Sequence, residues 1–435
     1  MSTTILKPRY LLPIAPDDRV REEVGVAIED GCITAVEPFE ELGSRFPHAE
    51  MIELDSHVLM PGLVNAHGHL AMSLMRGMVG SQPLDVWLNE IVWPLEKRVV
   101  DRDFVADGTA LALAEMIASG TTCASDQYWY PDVVADTALR AGFRLQLAVP
   151  VVDSPMGGLR GVDEWIHRAV ELHDQYRDQE LIKVAFGPHS CYTVELRALR
   201  RVQTLADEVG ADIHMHLHET EAEVADARAR TGTSWVRVLS ESGMITPSLQ
   251  AVHMTQLNDG EIECIARGGT RVIHCPHSNL LLTSGRCRVG DLKRAGAIVA
   301  LGTDGAASNN ALDLFQEMRT AMLAWKSAQN DTAVAPAAEM LKMATLDGAR
   351  ALGLEEEIGS IEPGKSADLI AVDFSHPALQ PVHDVREQLV HTQAGHHVSH
   401  VWVRGRCLYR QGCFNTLDIE RVMARAREWP GRMGS

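Results

Sequence analysis

Four short stretches decide the reading of this chain: PGLVNAHGH (61–69), HLHET (216–220), AVHM (251–254) and LGTDGAASNN (301–310). Each ends or follows an apolar, β-prone run. Histidine and carboxylate ligands delivered from the ends of separate strands are what a catalytic zinc site on a barrel rim requires. His67 and His69 are two apart, so in a strand they face one side about 6.6 Å from each other and can converge on one ion. His214, His216 and His218 share a face by the same alternation but span about 13 Å, so one metal cannot recruit all three. Spacing leaves His216 and His218 as alternatives. Glu219 stands beside them, where a carboxyl suits proton transfer. His253 ends one apolar run. Asp304 ends another and puts a carboxylate on the rim, its alternative being a helix cap.

Working outward, eight Val/Ile/Leu-rich runs lie at 58–66, 121–125, 144–149, 182–187, 212–218, 249–253, 271–275 and 298–302. Their near-continuous apolar character fits parallel strands buried on both faces. Helical patterns separate most of them, most clearly 101–119, where Asp101 can cap the start and Gly120 the end; others lie near 161–178, 193–208 and 312–327. Alternating β/α units predict an α/β fold, a (β/α)8 barrel over 61–362. The flanks, 1–60 and 363–435, contain short alternating runs with tight-turn signals at Asp30-Gly31 and Gly405. Neither is a comfortable core alone, so the expectation is one small β-sandwich built from both chain ends.

The formal net charge of −19 argues against nucleic acid or an anionic membrane as partner. No run of 18 apolar residues predicts a membrane span, and the first twenty residues lack a signal-peptide pattern. The eight cysteines include no C-x-x-C pair, which suits free thiols in a cytoplasmic protein. Further binding candidates are Glu96, in a loop flanked by Trp87 and Trp93, whose aromatic faces suit a planar heterocycle, and His189 in GPHS. Lys183 lies six residues before His189, about 20 Å along a strand, too far for a bridging ligand of a second metal. The H-x-E and P-C-x-x-C pieces of the cytidine-deaminase fold are missing.

Taken in order, PGLVNAHGHLAMSLMRG, DVWLNEIVWPLE, GTTCASD, VAFGPHSCYTV, HMHLHETEAEV, AVHMTQL, HCPHSNLLLTSG, LGTDGAASNNALDLFQEMR, MATLDGARALGL and EPGKSADLIAVD resemble the amidohydrolase superfamily, and within it the 5′-methylthioadenosine/S-adenosylhomocysteine deaminases, over nearly the whole chain. The resemblance implies one zinc held by His67, His69, His216 and Asp304, with iron or manganese also compatible with a mixed N/O site. It implies a proton shuttle at Glu219, water orientation by His253, and substrate contacts from Glu96, which would grip ribose hydroxyls, and from His189; Trp93 is a further contact by its place beside Glu96, and Asp304 would accept or orient the water proton. The implied reaction is hydrolytic deamination of an adenine nucleoside at C6. The implied partners are a small-molecule nucleoside and further copies of the chain in a homo-oligomer. His277 and Leu281 depart from the family pattern. The carboxylate of S-adenosylhomocysteine needs cations; Arg160 is the candidate, and the apolar Val149-Pro150-Val151 offers no second one, which favours 5′-methylthioadenosine or adenosine. A guanine-type deaminase, a triazine hydrolase and a non-catalytic scaffold are the competing readings.

Overall fold

The computed structural model describes residues 3–78 and 84–434. The chain enters through β1 (Thr4–Leu11), β2 (Val24–Glu29), β3 (Cys32–Pro38) and β4 (Glu50–Pro61). It then runs through eight successive strands: β5 (Leu63–Gly68), β6 (Thr121–Asp126), β7 (Arg144–Val151), β8 (Ile182–Pro188), β9 (Ile213–Leu217), β10 (Leu249–His253), β11 (Arg271–His274) and β12 (Val299–Leu301). These pair in chain order as one parallel sheet with helices between them. The sheet curls until its ends meet: the Asp304 amide donates to the His67 carbonyl at 3.1 Å across the β12–β5 seam. This is the expected (β/α)8 barrel.

β13 (Leu369–Asp373), β14 (Val398–Val403), β15 (Arg406–Arg410) and β16 (Cys413–Phe414) join the four N-terminal strands in a second sheet, with order β16-β15-β14-β13-β4-β1-β2-β3. Both chain ends thus build one small β-layer, as expected. Its pairings are antiparallel except β1 with β4, which are parallel. The β2–β3 end folds back onto the 364–367 loop, where Ile33 and Lys365 share a backbone bond of 2.8 Å.

Two details differ from the sequence pattern. The apolar run 58–66 is two strands, not one. Gly62 separates them, its amide bonded to the Asp368 carbonyl in one layer while the next residue, Leu63, bonds to the Gly120 carbonyl in the other. The end of the chain is a helix, Ile419–Met433, that leaves the β-layer and packs on the barrel helix Arg102–Ala118. Trp429 meets Phe104 edge-on at 5.1 Å and donates to Asp107 at 2.9 Å. The Asp101 cap is present, accepting from the Phe104 amide at 2.8 Å. All eight cysteines are free, and among the described residues no helix is long and apolar enough to cross a membrane.

The seam positions the site. Gly302 lets β12 approach β5 so closely that a Cβ there would lie 2.9 Å from the His67 amide nitrogen and 3.0 Å from its carbonyl oxygen. Gly302→Ala is therefore expected to destabilise the fold by roughly 1–3 kcal/mol through overpacking, read as a lower midpoint of thermal unfolding.

Candidate metal centre and cavity

His67, His69, His216, His253 and Asp304 converge at the C-terminal ends of β5, β9, β10 and β12, the face on which barrel enzymes build their sites. The Nε2 atoms of His67 and His69 lie 3.5 and 3.3 Å from one Asp304 oxygen. Bonds of about 2.1 Å at tetrahedral angles put ligand atoms about 3.4 Å apart, so this spacing fits a shared ion. Two donor sets of three, His67/His69/Asp304 and His67/His216/His253, each have their ligand atoms within 4.8 Å of one another. His67 Nε2 is buried without a hydrogen-bond partner, as a ligand atom would be.

The remaining ring nitrogens are tied down. His69 Nδ1 lies 2.7 Å from the Gln127 carbonyl and His216 Nδ1 2.8 Å from the His189 carbonyl. A carbonyl only accepts, so both rings carry a proton on Nδ1 and present Nε2 to the ion site. Asn279 Nδ2 donates to His253 Nδ1 at 2.9 Å, which leaves His253 with a proton on Nε2. That atom faces Glu219 Oε2 at 3.7 Å and is a donor rather than a ligand in this state. His218, the alternative to His216, turns away. Its backbone is left-handed (φ 53°), its Nδ1 meets the Gln256 carbonyl at 2.8 Å, and its Nε2 accepts from the Val236 amide.

Asp304 is held by Ser278, Ser308 and the Gly305 amide at 2.6, 2.9 and 2.8 Å. Burial alone would raise its carboxyl, but the imidazoles of His67, His69 and His253 outweigh burial and hold it well below the usual carboxylate range. Burial lowers His67 and His216 well below their ordinary value, and His189 to about 4, so these rings are neutral. Glu219 goes the other way: burial first, then the negative Asp304, push it up to about 8.

A cavity of about 570 Å³ opens above these groups. Glu96, Trp93, His189, His216, Glu219 and His253 all line it. Glu96 comes from the helix Trp93–Val99, which follows a π-helical turn, Trp87–Val92, of the sort found at functional sites. Its carboxyl accepts from the Tyr128 hydroxyl at 2.7 Å, and burial raises it to about 7 against the pull of that bond.

Arg160 requires a correction. It is not among the cavity residues; its guanidinium is 88% exposed and pairs with Glu164 one helical turn on. Among the described residues, the cations on the cavity wall are Lys97 and Arg230. Arg230 is engaged by Asp226 at 3.2 Å and stands over the Trp235 ring. Sequence reasoning also missed Tyr128, Gln127, Ser278, Ser308 and Asn279. The last three sit in the HCPHSN and TDGAASNN stretches, whose hydroxyl and amide groups were a usable signal; Gln127 and Tyr128 follow a strand end and carried none.

This donor set defines a metal-dependent barrel hydrolase. Residues 58–408 match the model of the amidohydrolase family. A 5-methylthioadenosine/S-adenosylhomocysteine deaminase of Saccharophagus degradans is 43% identical over 98% of this chain and 95% of its own length. A zinc-bound adenosine deaminase of Xanthomonas campestris superposes with a TM-score of 0.98 at 44% identity, covering 99% and 98% of the two chains. An atrazine chlorohydrolase of Arthrobacter aurescens shares the fold, with a TM-score of 0.91 at 22% identity over 98% and 99% of the chains. The chain belongs to the amidohydrolase family, within its 5-methylthioadenosine/S-adenosylhomocysteine deaminase branch.

The two candidate histidines at the end of β9 separate by experiment. His216→Ala is expected to lose bound metal, measured by elemental analysis. His218→Ala is expected to keep full metal stoichiometry and lose about 1–3 kcal/mol of stability, because it leaves the buried Val236 amide without its acceptor.

Proposed function

We propose that this protein is a hydrolytic deaminase of adenine nucleosides, with 5′-methylthioadenosine or adenosine as preferred substrate and one zinc per chain. The observation that carries this reading is the pairing of two buried carboxyls in one cavity: Glu219, beside the metal ligands, and Glu96, held by Tyr128. The named activities of the Saccharophagus and Xanthomonas relatives support it. The likeness to the chlorohydrolase is one of fold alone. Iron or manganese would fit the same donors, and the expected assembly is a homo-oligomer.

In this reading His67, His69, His216 and Asp304 hold the ion. When bound, it supplies a Lewis acid that brings the pKa of water towards about 7. Asp304, ionised and clamped by two serines, takes the first proton of the attacking water. Glu219, protonated up to about pH 8, gives its proton to ring N1 as oxygen adds to C6. The Nε2 proton of His253 is directed at the oxygen that gains charge. Collapse breaks the C6–N bond: the proton on Asp304 goes to the departing amine, and the hydroxyl proton returns to Glu219. The products are ammonia and the inosine analogue. Trp93 and neutral His189 flank the heterocycle, and Glu96 accepts from the ribose hydroxyls. With Arg160 turned to solvent and Arg230 engaged by Asp226, Lys97 is the one cation left on the cavity wall among the described residues to meet an amino-acid carboxylate, which keeps S-adenosylhomocysteine behind the smaller nucleosides.

The deciding experiment is ammonia release from 5′-methylthioadenosine, adenosine, S-adenosylhomocysteine and guanine side by side. Activity on guanine alone would overturn the nucleoside reading. Glu219→Gln is expected to retain zinc and lose at least about 10²-fold in kcat; near-wild-type turnover would refute the shuttle role. Glu96 gives a pH signature. Only its ionised form accepts both hydroxyls, so KM is expected to rise as pH falls through about 7. The Tyr128 hydroxyl lowers that value, so Tyr128→Phe is expected to move the KM limb to higher pH.

A further inference from the structure

The protons of His69 and His216 are placed by backbone carbonyls, but His67 has no such partner. Its Nδ1 lies 2.8 Å from Nε2 of His214, an atom that can donate or accept. His214 in turn places Nδ1 2.8 Å from Gln250 Oε1. Gln250 exchanges two bonds with Gln146, at 2.7 and 3.0 Å, and Gln146 donates to Ser125 Oγ at 2.9 Å. All four side chains are fully buried, on β6, β7, β9 and β10. Barrel interiors are ordinarily filled by branched apolar residues, so a closed polar file across this one calls for a task.

We propose that His214 is a positioning residue that sets the tautomer of His67, with Gln250 fixing its direction. Gln250 Oε1 accepts the His214 Nδ1 proton. His214 Nε2 is then a bare acceptor and takes the Nδ1 proton of His67. His67 Nε2 is left without a proton and directed at the ion site. Turning both amides over reverses every bond. It would put a proton on His67 Nε2, facing Asp304 at 3.5 Å, and close that atom to metal. The file therefore prepares the ligand in advance. The inference rests on the metal reading of His67 given above, but its first readout needs neither metal nor activity.

The test is long-range ¹H–¹⁵N NMR of the histidine rings in metal-free protein, with metal affinity by chelator competition. Wild-type protein is expected to show His67 protonated on Nδ1. His214→Leu is expected to lose that preference and to bind zinc about 10- to 100-fold more weakly. His214→Gln is expected to restore most of the affinity, because a Gln can accept from His67 and donate to Gln250. An Nε2-protonated His67 in wild-type protein, unchanged affinity in His214→Leu, or equal losses in the Leu and Gln variants would each overturn the proposal. Should His214→Leu fail to fold, Gln250→Met tests the same relay one step back, with unchanged tautomer and affinity overturning it. Wild-type protein that keeps the Nδ1 proton yet binds no metal would sink the metal reading and leave the tautomer relay standing.

Discussion

Everything at the barrel mouth depends on removing ionisable side chains from water without leaving them unpaired. Four imidazoles and a carboxylate are packed where ordinary charges are costly. Desolvation lowers His67, His216 and His253 and so keeps those rings neutral, and Asp304 is left as an ionised member. A neutral imidazole has one donor and one acceptor, so satisfying Nδ1 determines what Nε2 can do. Carbonyls of the loops after β6 and β8 perform this for His69 and His216, and Asn279 performs the opposite for His253. In the proposed reading, the division between ligand and proton donor is thus written in the partners of the far nitrogen.

That arrangement is held by strained backbone. His253 and Asp304 adopt left-handed conformations at φ 75° and 59°, unusual for residues with side chains. Such positions cost about 1–3 kcal/mol each and persist where the surroundings enforce them. Here the enforcing contacts are visible. Asp304 is caught by Ser278, Ser308 and the seam bond to His67. The loop after β9 is clamped by Glu223, whose carboxylate accepts from the His218 and Glu219 amides at 3.0 and 2.7 Å. Glu223 is itself capped through Thr220, so the helix Glu221–Thr231 anchors Glu219, the proposed shuttle.

The same backbone strain explains where sequence reading succeeded and stopped. Strand alternation put His67 and His69 on one face at the end of β5 and narrowed the end of β9 to His216 or His218, because both strands are regular up to those positions. It could not separate His216 from His218, since a left-handed residue ends the alternation and turns the His218 ring towards Gln256 and Val236. The eight barrel strands were readable from continuous apolar runs. The join between the two layers was not, because a glycine between two apolar stretches looks like one strand until Thr122 is seen to fill the space a side chain would need. Arg160 was misplaced for a local reason: Glu164, four residues on, satisfies its charge at the surface, and a pattern search has no view of that competition.

The two buried carboxyls of the cavity show how one residue type is given two jobs. Burial raises both Glu96 and Glu219, but their partners differ. Glu96 has a hydroxyl donor in Tyr128, which favours the ionised form and leaves it as an acceptor near neutral pH. Glu219 has a negative neighbour in Asp304 and a weaker, longer bond from Ser284 at 3.4 Å, which favour the protonated form. One carboxyl is therefore suited to receiving hydrogen bonds from substrate hydroxyls, and the other to giving a proton. A cavity lined only by acceptors could grip a nucleoside without changing it. One lined only by donors could not hold the ribose. In the proposed reading, a donor beside the ion and an acceptor elsewhere in the same cavity would orient a substrate with its ring towards the ion.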